Sequence, residues 1–92
     1  MAILKVLSRR QAPRIDREFQ ALIAPLKPEE RRQLEANIVA EGCCRDALVV
    51  WNGILLDGHN RLEICTRLHI PYRTSNIELP NREAAKLWIE EC

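Results

Sequence analysis

The chain reads as an α+β domain, a small mixed sheet built on a β-hairpin and packed by about three helices, and three observations predict it. Asn52-Gly53 stands between two β-rich runs, Ala47 to Trp51 and Ile54 to Asp57. That is the strongest short-range hairpin signal, because both turn residues must take positive φ. Both runs are apolar at nearly every position instead of alternating, so both faces of the hairpin need cover. The segments around them carry helical periodicity, and helices are what must supply that cover.

Taken in order, Met1 to Glu18 carries Lys5, Arg9, Arg10, Arg14 and Arg17 against Asp16 and Glu18, with Pro13 breaking any helix. This stretch is expected to be a loosely ordered basic leader, with residues 19–92 forming the domain. Phe19 to Ile23 is a short apolar run ended by Pro25 and reads as a strand. From Pro28 a helix is predicted. Proline is tolerated in a first turn, Glu29 and Glu30 suit the positive end of the dipole, and Leu34, Ile38 and Val39 recur at helical spacing until Gly42 stops it. Arg31-Arg32 on this helix reads as a solvated face.

After the hairpin, Asn60 to Leu68 is helical, with Leu62, Ile64, Cys65 and Leu68 available for an inner face and Pro71 as the stop. Arg73 to Leu79 reads as a further short strand. Pro80-Asn81 opens a last helix with Ala84, Ala85, Leu87 and Trp88 turned inward. Trp51, Leu55, Leu62, Leu68 and Trp88 are the expected core. The last helix reaches Cys92 without a stop signal, which suggests a piece of a longer protein.

Composition narrows the function classes. The chain has 92 residues, 47% of them hydrophobic and 29% charged, which is enough for one core and too apolar for disorder. No apolar stretch approaches the roughly 18 residues of a membrane span, and Lys5 interrupts Met1-Ala2-Ile3-Leu4, so a cytoplasmic protein with no membrane partner is expected. The net charge is +1, so any polyanion site must be local. Cys43, Cys44, Cys65 and Cys92 lack the spacing of a disulfide framework or a zinc site and read as reduced structural thiols; no zinc is expected.

One constellation can carry chemistry. A strand ending in Asp57 passes through Gly58-His59-Asn60-Arg61 into a helix, which points several backbone N–H groups at one spot and makes an anion site. Gly58 lets a phosphate approach the backbone, Arg61 can grip two oxygens with its planar fork, and His59 and Asn60 add donors. Asp57 is either the helix N-cap or a site carboxylate. As a site carboxylate it would repel a phosphate about 4 Å away by ~4 kcal/mol at an effective dielectric near 20. A Mg²⁺ held by Asp57, or a proton it takes as general base from an attacking hydroxyl, would offset that.

The acidic-start helix, Gly42, the apolar hairpin and Asp57-Gly58-His59-Asn60-Arg61 together resemble the ParB/sulfiredoxin superfamily, in particular ParB-like N-terminal domains of plasmids, phages and integrative elements. The resemblance covers Phe19 to Cys92. Partition proteins of that family carry Gly-Glu-Arg-Arg at the nucleotide phosphates, and Gly58 and Arg61 match it by type. A second loop in the family runs from glycine through two apolar residues to Gln-Pro; here it reads Gly42-Cys43-Cys44-Arg45-Asp46, which places Arg45 and Asp46 beside the phosphate or sugar. The resemblance implies a nucleotide-binding, DNA-associated domain of a plasmid partition or replication protein. Its ligand would be a nucleoside triphosphate, CTP or ATP, with Mg²⁺, and the full-length protein a homodimer. Sulfiredoxin chemistry is not implied, because that branch needs a cysteine in the turn. A third branch transfers phosphate, so a Mg²⁺-dependent phosphotransferase or nuclease-like enzyme using Asp57 as base or metal ligand is the alternative.

Overall fold

A computed structural model describes residues 12–91. Asp16 begins the ordered elements by accepting hydrogen bonds from the backbone N–H groups of Glu18 (3.0 Å) and Phe19 (3.1 Å), which caps helix α1, Arg17–Ala21. The strand expected at Phe19 to Ile23 is therefore not formed. An aspartate cap satisfies two orphan donors of a first helical turn, and that local hydrogen bonding outweighs the β preference of a five-residue apolar run. Of the basic stretch before Phe19, residues 1–11 lie outside the described residues. Arg14 runs parallel to the hairpin, its N–H donating to Gly53 O at 2.8 Å and its carbonyl accepting from Leu55 N at 2.9 Å, and Pro13 is buried.

Helix α2, Pro28–Glu41, starts at proline as the sequence requires, and Glu30 accepts from the Lys27 backbone N–H at 3.0 Å. It ends on Gly42, whose φ of 71° and N–H to Ile38 O bond close the last turn. Ile38 is buried and Leu34, one turn earlier, is half-buried, while Val39 is 54% exposed. Val39 lies about 100° around the helix from Ile38, off the stripe that packs with Cys44, Ile64 and Cys65.

Strands β1, Leu48–Trp51, and β2, Ile54–Asp57, pair antiparallel through the Asn52-Gly53 turn, with φ 51° and 77° at the two turn residues. Helix α3, His59–Leu68, carries the chain across, and β3, Thr74–Asn76, returns parallel to β1, giving a mixed sheet of order β2-β1-β3. The helix stops at His69 in the left-handed region, φ 56°, before Pro71 is reached. Helix α4, Arg82–Glu91, follows, with Asn81 Oδ1 accepting from Ala84 N at 2.9 Å.

Each face of the hairpin is covered. Phe19 of α1 and Ala85 and Ile89 of α4 pack with Trp51 and Leu56 on one side. On the other, Leu62 of α3 packs with Leu48, Val50 and Leu55, and Ile64 and Cys65 pack with Ile38 and Cys44. Leu48, Leu55, Leu56 and Ile64 are wholly buried, each contributing roughly 1.5–3 kcal/mol by removing its side chain from water. The Trp51 indole N–H donates to Leu79 O at 3.1 Å, and its ring lies 6.3 Å from that of Phe19. Trp88 and Leu68 are half-buried, and Leu87, expected inside, is 57% exposed. Ala85 and Ile89 are one turn apart and fix the inner stripe; Leu87, two residues from each, falls on the opposite side.

Candidate functional site

Gly58 joins β2 to α3 and is buried, with φ 107° and ψ 25°. A side chain cannot replace its hydrogen: an added Cβ would sit 2.5 Å from Leu48 Cδ2 and 3.4 Å from Arg61 Nη2. Glycine is thus required twice, for its backbone conformation and for the core leucine beneath it. The first intrahelical bond is Leu62 N to Gly58 O at 2.8 Å, so the N–H groups of His59, Asn60 and Arg61 all precede it. No side chain caps the helix, and no acidic residue lies in its first turn. Three donors and the positive end of the dipole therefore face one place.

Asp57 is not the cap. Its Oδ2 instead accepts from Arg61 Nη2 at 3.2 Å, while Arg61 Nη1 lies 3.6 Å from Asp46 Oδ2. The Arg61 side chain is only 18% exposed, against 79% for Asp46, so the guanidinium is fixed and the Asp46 carboxylate hangs loosely over it. Arg45 is turned elsewhere: its guanidinium pairs with Glu41 at 3.1 Å, and its carbonyl accepts from Arg73 at 2.6 Å.

The side chain of Asn60 faces α2, its Oδ1 accepting from Arg31 Nη1 at 2.9 Å. Arg31 also pairs with Glu63, and Arg67 joins Glu63 (3.1 Å) to Glu35 (2.6 Å), so a string of charges ties α2 to α3. Arg31 is half-buried and belongs to this contact, not to a solvated face; Arg32 is exposed. His59 packs with both ring nitrogens buried and unpartnered among the described residues. That burial holds the imidazole below its ordinary pKa, against the opposite pull of Asp57.

The structure brings Asp46, Asp57, Gly58 and Arg61 together, buries the ring nitrogens of His59, and uses Asn60 and Arg45 in other contacts. Leu48 and Arg31 are the two residues of the site's frame that motif reading omits. Leu48 is one apolar strand residue among several, and Arg31 lies 29 positions from Asn60, beyond any local pattern. Among the described residues no three of His, Cys, Asp and Glu gather as metal ligands. Asp57 and Asp46 each direct an oxygen at Arg61. Comparison of the chain with protein-family models, with curated proteins and with solved structures gave no match.

Proposed function

We propose that the turn from Gly58 to Arg61 binds the phosphates of a nucleotide, and that the chain is a ParB-like, DNA-associated domain of the partition or replication kind. The observation that carries this reading is the uncapped first turn of α3, with a buried glycine at its head and a fixed guanidinium in the same turn. The repulsion expected between Asp57 and a phosphate is offset by Arg61, which holds that carboxylate. Asp46 lies at the outer edge of the guanidinium and gives way to a phosphate oxygen; at 79% exposure it loses little by moving.

Calorimetric titration with tripolyphosphate and with CTP and ATP, each with and without Mg²⁺, tests this reading. Binding by the parent and at least about tenfold weaker binding by Arg61→Ala is the expected result, since charge-assisted hydrogen bonds contribute about 1.5–3 kcal/mol. Equal affinity in the two proteins would overturn the assignment. Mg²⁺-dependent release of the terminal phosphate would favour the phosphotransferase alternative.

A further inference from the structure

Beside the turn lies a thiol pair that the proposed function does not use. Cys44 stands in the loop between α2 and β1, and Cys65 stands on α3; they are 4% and 1% exposed and pack together with Ile38 and Ile64. The two residues belong to one buried cluster, and Cys44 Sγ lies 3.4 Å from the carbonyl oxygen of Asp46. Burial, and then Cys44, push the Cys65 thiol up to about 12, so at neutral pH it reacts slowly. Cys43, next in sequence, is exposed.

We infer that Cys44 and Cys65 form a redox pair whose disulfide fixes the Arg45-Asp46 loop onto α3. The oxidant is a peroxide. Cys44 sulfur attacks one peroxide oxygen, the O–O bond breaks and water leaves, giving a sulfenic acid. Cys65 sulfur then attacks the Cys44 sulfur, the S–O bond breaks and a second water leaves. Two thiols lose two electrons and two protons, and one peroxide becomes two waters. The consequence follows from position. Asp46 is two residues from Cys44, and Arg61 is one helical turn before Cys65, so the bridge shortens the tether between the carboxylate and the guanidinium that it covers. Oxidation therefore holds Asp46 over Arg61 and weakens phosphate binding; this second part rests on the phosphate reading of the turn, whereas the disulfide does not.

The test uses the full chain with Cys43→Ser and Cys92→Ser, treated with hydrogen peroxide and then cleaved with trypsin. The expected product is a linked pair of peptides, residues 33–45 with residues 62–67, that separates on reduction. Tripolyphosphate affinity is expected to fall several-fold on oxidation and to recover with dithiothreitol. Both thiols remaining open to alkylation after peroxide and unfolding, or each found separately as a sulfinic acid, would overturn the pair. If the variant fails to fold, the wild-type chain is used, and fragmentation of the linked pair assigns the bond to Cys44 or to Cys43, which shares its peptide; a bond to Cys43 overturns the pair. A disulfide that leaves tripolyphosphate affinity unchanged, while Arg61→Ala abolishes it, would refute the switch and leave the phosphate site standing. Absence of tripolyphosphate binding to the reduced protein would refute the phosphate reading and with it the switch, and the linked peptides would still report the disulfide.

Discussion

Gly58→Ala is the substitution for which the geometry gives the sharpest expectation. The new Cβ would enter at φ 107°, and it would meet Leu48 Cδ2 at 2.5 Å inside a leucine that is wholly buried. A left-handed backbone conformation costs an L-residue about 1–2 kcal/mol, and forcing a methyl group into a packed core costs about 1–3 kcal/mol more. The sum is about 2–5 kcal/mol. A domain of this size has roughly 5–14 kcal/mol of stability in all. With a urea slope near 1.5 kcal/mol/M, the unfolding midpoint should fall by roughly 1.3–3.3 M. Gly42→Ala provides the control, because Gly42 has φ 71° and nothing within 4 Å of an added Cβ; its cost should be the backbone part alone, about 1–2 kcal/mol. Leu48→Val removes the clashing atom at about 1 kcal/mol for the lost methylene. Combined with Gly58→Ala it should destabilise by less than the sum of the two single changes. Equal losses at Gly58 and Gly42, together with additivity between Gly58 and Leu48, would refute the contact as the reason for glycine at the turn.

Other consequences can be measured with the same protein. Asp46→Asn removes the carboxylate lying over Arg61 and should tighten tripolyphosphate binding several-fold in calorimetry; weaker binding would show that Asp46 helps the ligand. His59 is held below its ordinary value of 6.5, so the unfolded chain takes up a proton first as pH falls. Its contribution to stability is therefore whole above about pH 6.5 and is lost toward lower pH, and urea titrations from pH 7.5 to 5 should show a slope that His59→Gln flattens. Phe19→Ala empties a wholly buried position and should cost about 3–5 kcal/mol, read as a lower midpoint in the same assay. Arg82 bonds Asp16 and Glu18 and lies 4.4 Å over the Phe19 ring, so Arg82→Ala should lower the melting temperature, by less in high salt than in low.

The hairpin, α2, α3 and α4 were legible because each carries a local signal that tertiary packing reinforces: Asn52-Gly53, Pro28 with Gly42, and the change of period after Asp57. The failures have equally local causes. Asp16 lies three residues before Phe19 and turns an apolar run into a helix, an effect that counting apolar residues alone misses. On α4 the sequence offers Leu87 and Trp88 as inward residues beside Ala85, and only the packing of Ile89 against the sheet decides which stripe wins. In the turn, Gly58 and Arg61 could be read from type and spacing. What could not be read is that Asp57 and Asp46 both face Arg61, since Asp46 comes from another loop, or that Asn60 turns toward Arg31. Contacts across 15 and 29 positions leave no periodic trace.

Titrating inorganic phosphate and tripolyphosphate into isotopically labelled protein, and following the backbone amide resonances, tests the central claim most directly. The account predicts the largest saturable shifts at the amides of His59, Asn60 and Arg61, with Gly58 moving beside them, and their loss in Arg61→Ala. Shifts spread over the exposed arginines, with the α3 amides unmoved, would contradict it.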